Sequence, residues 1–304
     1  MRMKNPTLTG VVMALSAAAL WGTTGTAQNF VASQISPYWV GALRLAIASA
    51  FFAACVLLGR SGHFSGGQGY RTVWRWALLA GAAVAVYNLS FFAGVKATGV
   101  AVGTGVAIGS GPVWAGLLEA LFNRKAPRPV WWLGSVLAVA GIGLMLLAGG
   151  ADAHVDVTGL GLCLLSGLSY ASYTLISKHL VGLTTPTMAT FLVFSVAAVI
   201  AVPVAALVSP PLVMSAATWL MVSYLGVVVT GVAYLLFSHA LRRVSAASCV
   251  TLTLAEPVTA FVLAIVVVGE QPGGLAYVGL GLVVFGLLCV VWGETRGQAA
   301  HAAP

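Results

Sequence analysis

Glu256 lies almost at the middle of an apolar run from Ser245 to Val268 and is followed directly by Pro257. A carboxyl at that depth in hydrocarbon costs about 2.5–3.5 kcal/mol on insertion scales, so it marks a functional position by default. It either holds a cation, such as a ligand amine or a proton, or bridges as a protonated acid to a neighbouring helix. Pro257 removes one helical hydrogen bond and frees a carbonyl, so a local break is expected there. Arg44 is the second charge inside an apolar run, about four residues or ~6 Å from that run's centre. It suits a ligand carboxylate, backbone carbonyls, or a reach to the nearer interface. Trp21, Thr23, Thr24, Tyr87, Asn88, Ser110, Trp114, Tyr170, Ser172, Tyr173, Tyr234, Thr251 and Thr253 also lie near the centres of apolar runs. The small hydroxyls of this group can be satisfied by their own backbone. Trp21, Tyr87, Asn88, Trp114, Tyr170 and Tyr234 are stronger candidates, because their polar tips need partners away from lipid. A cavity of this chemistry suits an aromatic or apolar zwitterion and is a poor match for a polyphosphate.

Two further features have a structural and a functional reading. Glu119 stands near Arg124 and Lys125, where an interfacial salt bridge is expected. GVAVGTGVAIGSG at 99–111 carries Gly99-xxx-Gly103 and Gly105-xxx-Gly109. Small residues at that spacing let helices approach closely, as plain packing or as a moving contact. Gly105 and Gly109, with the helix-breaking Pro112 and Pro257, are the candidate gating positions.

The elements that position these residues follow from composition. The chain has 304 residues, 60% apolar and 7% charged, with a mean hydropathy of +1.01. Soluble domains carry roughly a quarter charged residues, and disordered chains are poor in apolar ones, so both classes are excluded. Turn signals and charges cut the sequence into ten apolar segments, roughly 8–30, 38–58, 73–95, 99–122, 130–149, 158–179, 187–208, 217–240, 245–268 and 274–293. Each is close to the ~20 residues of a helical crossing. All are read as helices, because an open strand leaves its backbone unsatisfied in lipid. The N-terminal MRMKNPTLTG and the run after it lack a small-residue cleavage motif and are read as a retained first span.

With the N-terminus placed in the cytoplasm, Arg2, Lys4, Arg60, Arg71, Arg75, Arg124, Lys125, Arg128, Lys178, Arg242, Arg243 and Arg296 fall at or near one face. Lys96 alone falls at the other, and Asp152, Asp156 and Glu270 are its counter-charges there. The formal charge of +8 is therefore a topology signal and implies no nucleic-acid partner. Both termini are expected in the cytoplasm, in the inner (plasma) membrane. Trp39, Trp74, Trp76, Trp131, Trp132, Trp219 and Trp292 sit at or near span ends, as interfacial anchors do. Cys55, Cys163, Cys249 and Cys289 lie in apolar runs without CxxC spacing. Reduced thiols are expected, with no metal and no cofactor.

The chain also repeats itself. At an offset of 149, Thr9-Gly10 meets Thr158-Gly159, Trp21 meets Tyr170 and Pro37 meets Pro186. At an offset of 145, Trp74 meets Trp219, Gly81 meets Gly226, Phe92 meets Phe237, Pro112 meets Pro257, Pro127 meets Pro272, Gly134 meets Gly279 and Gly141 meets Gly286. Five spans per repeat is an odd number, so the second repeat enters the membrane from the opposite side. The expected fold is all-α, with ten transmembrane helices as two inverted five-helix repeats, 8–149 and 158–293, around a central cavity. A flexible cytoplasmic tail is expected over 294–304. Such pseudo-symmetry offers two packings of nearly equal energy, one open to each side.

LAEPVTAFVLAIVVVGEQPGGLAYVGLGLVVFGLLCV at 254–290 resembles the closing motif of an EamA domain. LWGTTGTAQNF at 20–30 and LSYASYTLISKHL at 168–180 resemble the opening helices of its two repeats, and Arg44 matches an arginine common in its second helix. The chain thus resembles the drug/metabolite transporter superfamily, and within it the YddG-type aromatic amino-acid exporters. Two departures stand in the first repeat: Gly111-Pro112 replaces Glu-Pro, and Asn29 stands where a basic residue is usual. The resemblance implies a cavity built mainly by helices 1–4 and 6–9, with 5 and 10 peripheral, and export of small metabolites.

The class expected is a transporter working by alternating access. Amino acids, aromatic or bulky and apolar, are the leading cargo; nucleotide-sugar or drug export is the alternative. The partners are then a small molecule and the bilayer, with the protein a monomer. The sequence has no HExxH, P-loop, GxSxG or paired intramembrane aspartates, and its five histidines avoid span centres. An intramembrane enzyme and a channel are therefore remote.

Overall fold

The computed structural model describes residues 6–29, 35–59, 70–124, 126–148 and 156–301. Arg2, Lys4, Arg60, Lys125, Asp152, His63 and His154 lie outside the described residues. Among those described, ten helices are long and apolar enough to cross a membrane, and no strand occurs. They are α1 Pro6–Ala27, α2 Pro37–Leu58, α3 Tyr70–Thr98, α4 Val102–Phe122, α5 Pro129–Ala148, α6 Val157–Leu183, α7 Pro186–Val208, α8 Ala216–Leu241, α9 Ala246–Val268 and α10 Gly274–Thr295.

Local chemistry sets their ends. Proline opens α1, α2, α5 and α7, where its missing N–H has no helical acceptor to lose. Side chains cap α6 through α9. Asp156 accepts from Thr158 N and Gly159 N, Thr185 from Met188 N, Ser215 from Thr218 N and Ser245 from Ser248 N. The helix that carries α4 begins at Val100, so after Thr98 the chain turns at Gly99 alone, at φ 86°, a conformation that a side chain would strain. The final helix does not stop at 293 but continues to His301. Glu294 holds the start of the expected tail, accepting from Ser245 N (2.9 Å) and from Ser248 Oγ (2.8 Å).

Helix packing obeys the expected two-fold relation. α1 packs on α8 and α9, and α6 packs on their repeat mates α3 and α4. α2 lies against α8 as α7 lies against α3, while α2–α7, α4–α9 and α5–α10 are pairs of mates. The residue offsets hold at the contacts. A Cβ on Gly81 would meet Val196 at 2.5 Å, and one on Gly226 would meet Ile47 at the same distance; Ile47 and Val196 are 149 positions apart. At the α5–α10 crossing, Gly134 faces the Gly286 carbonyl and Gly141 the Gly279 carbonyl. The glycines bring the two backbones together where lipid supplies no hydrophobic drive between helices.

Candidate functional site

Three helices depart from regular geometry within their spans, and all three contribute residues to one cavity. α1 breaks at Thr23, between Pro6–Gly22 and Thr24–Asn29. The Thr23 hydroxyl donates to Leu20 O (2.7 Å), which also accepts from Thr23 N (3.2 Å), and the Thr24 hydroxyl donates to Trp21 O (2.5 Å). α8 widens to a π-helix over Leu225–Val232, where Thr230 Oγ1 donates to Leu225 O (2.8 Å). π-Bulges recur at functional sites.

α9 stops at Leu252 and restarts at Ala255. Pro257 therefore sits in the first turn of the restarted helix, and the break falls before it, at Thr253–Leu254. The carbonyl that proline would have orphaned, Thr253 O, accepts from Glu256 N instead (2.9 Å). Glu256 thus occupies a helix first turn, where the backbone dipole favours a negative charge. Pro112, by contrast, does not break its helix: Val100–Asn123 runs through it. One missing N–H is tolerated where neighbouring helices and turns hold the rest of a buried helix.

The cavity offers about 120 Å³ to the centres of water molecules. Trp21, Arg44, Tyr87, Asn88, Tyr170, Tyr234 and Glu256 all line it, together with Thr24 and Thr253. Phe91, Phe92, Thr104, Ala107, Ile108 and Val250 complete the wall. Nothing in the chemistry of these six marks them as cavity residues from sequence. Their only signal is spacing, since Phe91 and Phe92 follow Tyr87 and Asn88 by four residues and share their helix face. The wall draws on α1–α4, α6, α8 and α9; α7, expected among the lining helices, contributes none of these residues and packs behind them on α2 and α3.

Trp114 is not among the lining residues. It packs with Leu118, Trp132 and Tyr170 around Ala115, Trp131 and Val250. Gly105 and Gly109 point away as well, toward Leu146 and Val139 of α5. The cavity face of α4 is Thr104, Ala107 and Ile108 instead.

The aromatic floor is continuous. Trp21 lies 4.8 Å from Tyr234, 5.5 Å from Phe237 and 6.5 Å, edge-on, from its repeat mate Tyr170. Tyr87 stands 5.4 Å from Tyr170, and Phe194 lies 4.6 Å from Tyr234 behind the wall.

Several polar atoms here are left open. Trp21 Nε1, Arg44 Nε and Tyr170 OH are buried without a hydrogen-bond partner. Thr253, the hydroxyl beside Tyr170, gives its proton to Val250 O (2.7 Å). The Arg44 guanidinium lies beside the Tyr87 hydroxyl, and its charge acts on Glu256 across the cavity. No ion pair or hydrogen bond joins Arg44 to Glu256 among the described residues. One cation, one anion and two neutral donors thus belong to the wall of a single cavity.

Each charge exists in one repeat only. The mate of Arg44 is Val193 and that of Glu256 is Gly111, whose missing side chain lets Val250 approach to within 3.4 Å of where a Cβ would stand. Gly22 plays the same part for Glu256, as a Cβ there would meet the Glu256 carbonyl at 2.6 Å. Glu119 is absent from the cavity and forms no salt bridge with Arg124. It accepts from Ala247 N at the start of α9 (2.9 Å).

Known proteins share this plan. The EamA-like transporter family model matches residues 8–147 and 157–292. The chain is 36% identical over 298 residues to the uncharacterized transporter YwfM of Bacillus subtilis (strain 168), covering 95% of this chain and 96% of that protein. It is 28% identical to the uncharacterized transporter YxxF of the same organism, over 62% of this chain and 60% of that protein. A solved crystal structure superimposes with a TM-score of 0.80 at 21% identity, over 95% of this chain and 98% of its own, and so shares the fold. Two matched repeats spanning nearly all of the sequence place the chain in the EamA-like transporter family.

Proposed function

We propose that this transporter exports amino acids, with aromatic or bulky apolar side chains preferred, by alternating access across the plasma membrane with both termini in the cytoplasm. One observation carries the reading: a single half-buried cation and a single half-buried anion line the same aromatic cavity without pairing to each other. A zwitterion answers both, its carboxylate toward Arg44 and its ammonium toward Glu256. Trp21, Tyr87, Tyr170 and Tyr234 then receive the side chain, and the Trp21 N–H and Tyr170 O–H supply the remaining bonds. A nucleotide sugar fits poorly, because two phosphates would meet one guanidinium and a carboxylate. Substrate near the midplane of an inverted repeat is the arrangement in which rocking of the repeats alternates access.

Competition in proteoliposomes tests this. Tryptophan, phenylalanine, tyrosine and leucine are expected to compete for uptake at lower concentration than glycine or aspartate, and nucleotide sugars not at all. Failure of every amino acid to compete overturns the reading.

A further inference from the structure

On the other side of the aromatic floor, at the end of the bundle where α6 and α8 finish and α9 begins, four charged side chains converge on one turn. Lys178 of α6 donates through Nζ to Leu241 O and, at 2.8 Å, to Val244 O. Arg242 answers from the turn itself, its Nε donating to Val181 O (3.2 Å). The first amides of α9 are held by two carboxylates: Glu119 of α4 takes Ala247 N, and Glu294 of α10 takes Ser245 N and Ser248 Oγ. The α8–α9 turn is thus tied to α4, α6 and α10. Each tie but one runs from a charged side chain to backbone, and such charge-assisted bonds are the stronger kind.

Among the described residues the opposite end of the molecule has no such set. By the repeat offsets, Lys178, Glu119, Arg242 and Glu294 correspond to Asn29, Ala264, Ala97 and Gly149, none of them charged. In an inverted repeat the two ends share a backbone plan, so what makes one conformation preferred must be side chains that differ between them. We propose that Lys178, Glu119 and Glu294 form a gate clasp that holds this end shut and gives the transporter its resting preference for the state whose cavity is reached from the other end. The proposal rests on the alternating-access reading but on no particular cargo. Opening toward the clasped end requires the α8–α9 turn to leave Lys178, and the three side chains are positioning residues, remote from the ligand.

Cys249 is a native reporter, fully buried in α9 with Lys178, Glu119 and Glu294 around it. The test uses the protein in sealed membranes and a charged, impermeant maleimide, applied from the clasped side to Cys249 as the one remaining cysteine and from the opposite side to Cys163, equally buried but beside Thr98 at the other end of the bundle. A third series carries Thr104→Cys on the cavity wall in a background without native cysteines, labelled from the side opposite the clasp.

Lys178→Met is expected to raise the Cys249 rate about tenfold, the equivalent of one charged hydrogen bond. It should slow labelling at Thr104→Cys and leave Cys163 protected, and Lys178→Arg should restore all three rates. Glu119→Gln, which keeps volume and shape, should move the same rates in the same direction and stands in if Lys178→Met fails to fold. An unchanged Cys249 rate overturns the clasp. So does a joint rise at Cys249 and Cys163 without slowing at Thr104→Cys, which would mean loosened packing. No amino acid enters the measurement, so a failed competition assay removes the cargo reading and leaves this one standing.

Discussion

Arg44 and Glu256 have separable roles if each binds one end of a zwitterion. Arg44→Met is then expected to raise the half-saturation concentration of a bound amino acid about 10- to 100-fold, the range of a charged hydrogen bond lost from a buried site. The same variant should bind the corresponding amine, which lacks the carboxylate, as well as the parent protein does. Glu256→Gln should show the mirror pattern, penalising the amine and sparing a carboxylate ligand without the ammonium. Equal losses for both ligand types in both variants, measured by competition, would refute the assignment. Both charges lie inside the protein, so moderate salt should screen these effects far less than it screens surface pairs.

At the scale of the helix, glycine placement decides packing, and identical residues on one helix do different things. Gly141 lies against the Gly279 carbonyl, where a Cβ would come to 2.5 Å, whereas Gly143 has nothing within 4 Å. Gly141→Leu is expected to cost about 1–3 kcal/mol through overpacking, visible as a lower thermal midpoint in detergent. Gly143→Leu gains helix propensity of up to ~1 kcal/mol without a clash and should be neutral or stabilising. Equal midpoints for the two would refute the close α5–α10 contact. The breaks follow similar logic. Pro112 and Pro257 are repeat mates, yet only α9 is interrupted, and the interruption precedes its proline at Thr253–Leu254. What the break provides is a fresh helix start beneath Glu256.

For the whole molecule, the inverted repeat makes orientation a matter of loop charge, and twelve of the fourteen basic residues share one face in the expected topology. In intact cells, a membrane-impermeant maleimide is expected to label Lys96→Cys and to spare Arg124→Cys; both positions are exposed at helix ends. The reverse pattern would invert the orientation and, with it, the direction in which the clasped end faces.

Sequence by itself determined the membrane class, the ten helices, the repeat and its two offsets. These depend on hydrophobic length, on rare Pro and Trp residues and on glycine spacing, all of which are local and periodic along the chain. It also singled out Trp21, Arg44, Tyr87, Asn88, Tyr170, Tyr234 and Glu256, because a polar tip in an apolar run stands out wherever the run lies. The tertiary structure alone decided which faces meet. Phe91, Phe92, Thr104 and Ile108 look like ordinary membrane residues until helix rotation turns them to the cavity, and Trp114, as conspicuous as Trp21, turns to a different neighbour. Glu119 reads as a local salt bridge because sequence shows Arg124 five positions away and hides Ala247, which is 128 positions away and in hydrogen-bond contact. Apolarity all round a helix says that it is buried, in lipid or in protein; only its packing against other helices says which side is which.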